Sequence, residues 1–250
     1  MTLRSIIMKK MDRGEADETV RFISREKGWL TGVAKNSRKS RIRFGGHLEP
    51  MSIVDMVVRS RQKDAMVWID ESQIRKAFTR IRGDMGLVAI SSYFLELASV
   101  FLPEGQQDTN VFDFMDTFLT SINEAPPDPT ELVLYEIHLL SLLGYGPMLV
   151  QCAVCRRSFS ENVDIFFSPH NGGLCHRSCT DEMLSSLIRI SPSTLATLRH
   201  LLDTDSRLAG RIKIGRVARS EIRQCLSAFV RHIRGEDLKS LSFMEQIGIN

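Results

Sequence analysis

Between Gly83 and Gln151 the sequence has no lysine and no arginine, although it carries 10 Asp and Glu there. A stretch of one charge sign repels phosphate, so it is excluded as a surface for polyanions and left to a basic partner or to solvent. No apolar run approaches the ~20 residues of a membrane span, so no membrane association is expected. An apolar signal-peptide core is also missing, and secretion with disulfide bonding is not expected. H-E-x-x-H, G-x-S-x-G, a Walker-type glycine loop and G-x-G-x-x-G are all absent, which argues against hydrolase, NTPase and dinucleotide chemistry. There is no low-complexity tract and no internal repeat.

The remaining composition is that of an ordinary soluble protein, with 43% hydrophobic and 25% charged residues. A chain of 250 residues is long enough for two domains. The net charge of +3 hides segregation: residues 1–82 carry 19 Lys and Arg against 10 Asp and Glu, and residues 152–250 carry 14 against 10. A basic N-terminal third attracts polyanions, because neutralising phosphates releases their counterions.

That basic third reads as β structure. Leu3–Met8, Thr19–Ser24, Trp29–Ala34, His47–Val58 and Ala65–Ile69 are strand candidates, separated by turn signals such as Asp12-Arg13-Gly14-Glu15 and Lys27-Gly28. Pro50 marks the fourth as an edge strand or the site of a bulge. Five short strands fit a small barrel of OB type. Between the third and fourth lies KNSRKSRIRFGG, with Lys35, Arg38, Lys39, Arg41 and Arg43 and no acid among them. Such a loop repels itself unless an anion is near, and OB folds bind single strands with cationic grooves and aromatic platforms. Trp29, Phe44 and Trp68 are aromatic candidates, each also suited to core or edge packing.

From Gln73 the apolar period becomes helical. One run holds Leu87, Ile90, Phe94, Leu97 and Phe101 and stops before Pro103, and a second holds Phe112, Met115, Leu119 and Ile122. Asp128-Pro129-Thr130-Glu131 has the form of a capping box before Leu132–Leu143. A short helix is expected around Met183, Leu184, Leu187 and Ile188, another from Pro192 through Leu202, and a last one over Val217–Arg234. Cys225 falls on the apolar stripe of that last helix and reads as core. Arg216, Arg219, Arg223, Arg231 and Arg234 lie off the stripe, as a solvated face or a second phosphate-contacting surface.

Four of the five cysteines fall between Cys152 and Cys179, as C-x2-C, nineteen residues, then C-x3-C. Two close pairs on separate turns can close a tetrahedral shell around Zn²⁺, and Asn171-Gly172-Gly173 supplies a turn before the second pair. The second pair is one residue wider than the tightest spacing. His170 and His176 lie inside the module and can replace a thiol. The expectation adopted is structural Zn²⁺ on Cys152, Cys155, Cys175 and Cys179, since four thiolates leave no open position for chemistry.

Together these parts give an α+β multidomain chain. Residues 1–80 form an OB-type nucleic-acid-binding barrel, and residues 81–250 form an all-helical domain with a zinc-ribbon-like module inserted at 150–180. KGWLTGVAKNSRKSRIRFGGHLEPMSIVDMVV (Lys27–Val58), LLGYGPMLVQCAVC (Leu142–Cys155) and GGLCHRSC (Gly172–Cys179) resemble the bacterial recombination mediator family RecO. The resemblance implies binding of single- and double-stranded DNA, annealing of complementary strands, and no bond-breaking activity. It further implies work with RecR, displacement of single-strand-binding protein, indirect help in loading RecA, and a cytoplasmic, nucleoid-associated location. The family's basic loop falls here on Lys35, Arg38, Lys39, Arg41 and Arg43, and its zinc cysteines on Cys152, Cys155, Cys175 and Cys179. The alternative reading is a zinc-containing adaptor in RNA metabolism or transcription.

Overall fold

The computed structural model describes residues 1–59, 66–160, 164–181, 183, 186–203 and 214–249, with the backbone alone described for 201–203. Ala65 and Leu184, and the side chains of Leu201 and Leu202, lie outside the described residues. By compactness the chain forms two units, one of residues 1–126 with 239–249 and one of 127–238. This division differs from the strand-to-helix boundary near residue 80.

The first unit starts with five strands, β1 (Thr2–Arg13), β2 (Asp17–Ser24), β3 (Gly28–Ala34), β4 (Ile53–Arg59) and β5 (Val67–Lys76). They close into a barrel in the order β1-β2-β3-β5-β4, with β1 pairing β4 antiparallel and β3 pairing β5 parallel. This is the OB-type arrangement the spacing of turns predicts. A single long β1 serves both neighbours: Thr2–Ile6 pair with β4 and Ser5–Arg13 with β2, across a register shift between Ile7 and Lys9. Leu3, Ile7, Val20, Phe22, Val54, Met56, Val58 and Ile69 fill the interior.

Two strand boundaries differ from expectation. β4 begins at Ile53, not His47. Pro50 has no N–H to give a ladder and Met51 sits at φ 57°, so extended pairing cannot run through them. β5 continues to Lys76, past the expected end at Ile69. Its register against β4 shifts between Val57↔Glu71 and Val58↔Ile69, which breaks the two-residue alternation by which a strand is read.

Helices α1 (Thr79–Gly83), α2 (Met85–Phe101) and α3 (Thr109–Glu124) follow, and α7 (Lys239–Gln246) joins them from the far end of the chain. Much of the acidic stretch serves as local structure. The side chain of Asp84 accepts from the Leu87 N–H at the start of α2, and that of Asp108 from Asn110 and Val111 at the start of α3. An acid there also meets the positive end of the helix dipole. Glu96 accepts the N–H groups of Lys239 and Ser240, which fixes the first turn of α7. Asp113 pairs with Arg25 and Asp116 with Lys76, so two acids of α3 neutralise barrel cations.

Gly28 shows how closely barrel and helices fit within this unit. It turns β2 into β3 at φ +66°, and a Cβ there would overlap the backbone carbonyl of Gln106. Next to it, Trp29 is fully buried and donates Nε1–H to the Ala98 carbonyl at 3.3 Å. Gly28→Ala therefore combines left-handed strain with a clash against backbone. It is expected to cost about 3 kcal/mol, read as a lower urea midpoint at unchanged slope.

Asp55 on β4 gives an acid-sensitive contact. Its Oδ2 accepts from Arg75 Nε at 2.7 Å and its Oδ1 from Arg4 Nε at 3.3 Å. Partial burial opposes its ionisation, but the hydrogen bonds and charges of Arg75 and Arg4 outweigh it and hold the carboxyl below its usual 3.8. A depressed folded-state value means the contribution is complete above the unfolded value and is lost as pH falls through the folded one. Asp55→Asn is thus expected to flatten the fall in stability below about pH 4 in pH-stepped urea titrations.

The second unit holds α4 (Pro129–Leu142), α5 (Pro192–Asp203) and α6 (Arg216–Arg234), with a three-stranded sheet of order β7-β6-β8 made by β6 (Ile165–Ser168), β7 (Gly173–His176) and β8 (Ile188–Ile190). Asp128 and Glu131 form the expected capping box on α4. The residues around Ile188, read as helix, are the short strand β8, held by Ile165↔Ile190 and Phe167↔Ile188. Three residues are too few to show a period, and pairing decides their conformation. Cys225 is buried on α6 with Ile222, Leu226, Phe229 and Val230, and that burial pushes its thiol far up.

Candidate metal centre and candidate nucleic-acid interface

The cysteine module is built on a knuckle and a strand end. Arg156 N–H donates to the Cys152 carbonyl at 2.9 Å, and Cys152 N–H to the Arg157 carbonyl at 2.9 Å, so the chain reverses tightly. Arg156 takes φ 62° at the reversal. Cys155 N–H points at the Cys152 sulfur, 3.5 Å away. Ala153 N–H donates to the Leu174 carbonyl at 2.7 Å and ties the knuckle to β7. Gly173 lets the Met148 backbone lie against β7, because a Cβ there would meet the Met148 carbonyl.

Cys152, Cys155, Cys179 and His176 converge, with their donor atoms within 4.8 Å of one another. His176 Nδ1 is 3.6 Å from Cys155 Sγ and 3.8 Å from Cys179 Sγ. A tetrahedral Zn²⁺ with bonds of ~2.3 Å to sulfur and ~2.05 Å to nitrogen has sulfur–nitrogen edges of about 3.6 Å, so this donor set fits the ion. Burial pushes the Cys152 thiol up, but the N–H groups of Cys155, His176 and Val154 outweigh it and bring it to about 6, toward the thiolate a metal needs. Burial and the neighbouring thiols of Cys155 and Cys152 push Cys179 up.

Cys175, expected as the third thiolate, lies outside this group. It is fully buried in β7 opposite Phe166, whereas His176 pairs with Ile165. Adjacent strand residues face opposite sides, so Cys175 and His176 cannot both turn to the knuckle. Cys179 reaches the group from the 3-10 turn Arg177–Cys179. The legible signal was spacing: His176-x2-Cys179 mirrors the Cys152-x2-Cys155 knuckle, where Cys175-x3-Cys179 does not. His170 also lies outside the group, packed edge-on against His232 at 5.5 Å.

The cationic loop between β3 and β4 is exposed at its charges and fixed at its base. Phe44 and Leu48 enter the barrel core. Ser72 N–H donates to the Arg43 carbonyl at 2.9 Å, His47 Nδ1 lies 2.7 Å from the Ser72 carbonyl oxygen, and Arg38 N–H donates to the Ala16 carbonyl at 3.2 Å. Lys35, Arg38, Lys39, Arg41 and Arg43 are all exposed. Lys35 lies over the half-buried Trp68 ring at 4.7 Å. Arg38 makes a surface pair with Asp12 at 3.3 Å, which is worth little in water. Arg43 folds back over Phe44 and donates to the Lys35 carbonyl at 3.0 Å. Among the described residues, no acid pairs with Lys39 or Arg41. Of the three aromatic candidates, Trp29 and Phe44 are core and only Trp68 reaches the surface.

On α6, Arg231 pairs with Asp237 at 2.6 Å and Arg234 with Glu236 at 2.9 Å, so part of its arginine face is already compensated.

Among the described residues no helix is long and apolar enough to cross a membrane. Residues 1–78 match the family model for the N-terminal part of recombination protein O, and residues 82–242 match that for its C-terminal part. A protein of Anaeromyxobacter dehalogenans strain 2CP-C, named DNA repair protein RecO, is 30% identical over 246 residues, spanning 98% of this chain and 96% of its own length. Proteins of the same name from Syntrophus aciditrophicus and Syntrophotalea carbinolica are 30% and 31% identical over 96% and 97% of this chain, and 93% of their own lengths in each case. Barrel, helical region and cysteine module thus fall within one family in one order, and the chain belongs to the RecO family of DNA repair proteins.

Proposed function

We propose that this chain is a non-catalytic recombination mediator that binds single- and double-stranded DNA through the β3–β4 loop and anneals complementary strands. With RecR it helps load RecA onto strands coated by single-strand-binding protein, in the cytoplasm at the nucleoid. The observation that carries the reading is the loop itself: five exposed cations on a segment anchored in the barrel core, with no acid among the described residues paired to Lys39 or Arg41. Two strands repel each other through their phosphates. A surface that neutralises phosphate lowers that repulsion and raises the local concentration of both strands, so no covalent step is needed.

Zn²⁺ held by Cys152, Cys155, His176 and Cys179 is structural in this reading. A shell of four protein ligands leaves no position for substrate, and the ion fixes the knuckle against β7. Strand annealing measured with and without single-strand-binding protein, before and after chelation, tests the DNA role, the partner and the ion together. Annealing faster than the spontaneous rate supports the proposal, and none at low salt sinks it. Equal-length RNA in the same binding assay separates it from an adaptor of RNA metabolism, since only RNA offers a 2′-OH.

A further inference from the structure

Ile42 stands out on the cationic loop. Its side chain is 96% exposed, between Arg41 and Arg43, while Phe44 two residues on is buried in the barrel. The loop is held by backbone hydrogen bonds at both flanks, so Ile42 is carried outward by a fixed segment. Arg43 braces it from within, donating Nε–H to Ser40 Oγ at 3.3 Å and its terminal amino group to the Lys35 carbonyl at 3.0 Å. That leaves Lys39 and Arg41 pointing outward with Ile42. Asn36, Lys39, Ser40, Arg41 and Ile42 line a shallow depression of about 480 Å³, with no carboxylate among its described lining residues.

We infer that this depression is a subsite for one unpaired nucleotide of a DNA strand, with Ile42 against the face of the base and Lys39 and Arg41 on its flanking phosphates. The inference rests on the nucleic-acid reading above and deepens it, because it separates what single strands and duplexes use. A nucleotide presents an apolar ring face beside its own anionic phosphate, matching one aliphatic side chain that shares a depression with Lys39 and Arg41. In a duplex the ring faces are stacked on their neighbours, which leaves the phosphates, sugars and groove edges within reach but not the faces. An unpaired strand turns its bases out, so that side chains can pack on the exposed ring faces. Ile42 thus favours single strands, whereas Lys39 and Arg41 serve both forms.

The test uses the full chain and fluorescence anisotropy with labelled oligothymidine and a blunt duplex of equal length. Ile42→Ser is expected to weaken single-strand binding roughly 5–10-fold and duplex binding less than twofold, at an unchanged salt slope. Ile42→Leu should bind like the parent. The double variant Lys39→Glu with Arg41→Glu should weaken both substrates and reduce the salt slope. A Ser variant that binds single strands within twofold of the parent, or loses both substrates equally, overturns the subsite while the double variant still upholds the loop. If the double variant also binds normally, the nucleic-acid reading of the loop falls with it. Because Ile42 makes no core contact, its variants should keep the parent's melting temperature, which the same preparations can show.

Discussion

Reversing three charges at once, with Arg38→Glu, Lys39→Glu and Arg41→Glu, is expected to lower DNA affinity by roughly 100-fold at low salt and to do so for every sequence. Each phosphate contact contributes about 0.7 to the salt slope for a single strand and about 0.9 for a duplex. Loss of three contacts should therefore flatten the slope by about 2 to 3. The three side chains are exposed and the loop is held by Phe44, Leu48 and backbone hydrogen bonds, so the fold should survive. Arg38 gives up only a surface pair with Asp12, a small loss beside the effect on DNA. Anisotropy titrations between about 50 and 200 mM salt make the measurement. An unchanged slope would remove this loop from the phosphate-binding surface, whatever happened to the affinity.

The second large effect concerns the metal. His176→Ala is expected to strip the centre of Zn²⁺, and Cys175→Ala is expected to leave about one ion per chain. Structural Zn²⁺ contributes on the order of 10 kcal/mol to the folding of small modules, so losing a ligand should unfold the knuckle locally. His176 lies 3.6 and 3.8 Å from two of the sulfurs, while Cys175 belongs to the other face of β7. Cys175→Ala removes a buried side chain, so a modest loss of stability is expected with the ion still in place. Metal analysis of the two purified variants decides between them, with Cys152→Ser as the variant that must lose the ion under either assignment. Co²⁺ substitution adds a spectrum characteristic of three sulfurs and one nitrogen. Retention of the ion by His176→Ala together with its loss from Cys175→Ala would restore the four-thiolate set.

The acidic stretch acquires a structural account. Asp84, Asp108 and Asp128 cap three successive helices, Glu96 holds the start of α7, and Asp113 and Asp116 bind Arg25 and Lys76. Two barrel cations, Arg25 and Lys76, are neutralised by α3, which leaves the five of the β3–β4 loop untouched. Net charge by segment overstates what solvent and ligands meet, because charges pair across long stretches of chain.

Features carried by a local period or a local motif were legible beforehand. The helices over 85–101 and 109–124 follow from their apolar spacing, the capping box from Asp128-Pro129-Thr130-Glu131, and the five-stranded count from turn signals. The cationic loop was equally plain, because charge density needs no fold to be counted. Where a bulge or a partner strand sets the conformation, the text of the chain is silent: β5 runs past a register shift, β8 exists through β6, and α7 is set down on Glu96, far from it in sequence.

Residue types and their spacings, taken alone, determined a basic barrel, a helical remainder and a thiol-rich module, since each depends on interactions between near neighbours. The tertiary structure alone decided which side of a strand faces the knuckle, and so placed His176 with three sulfurs and turned Cys175 into the sheet. It also sent Trp29 and Phe44 inward and left Ile42 outside. Those outcomes depend on the register and curvature of paired strands, which are set by contacts between segments distant in the chain.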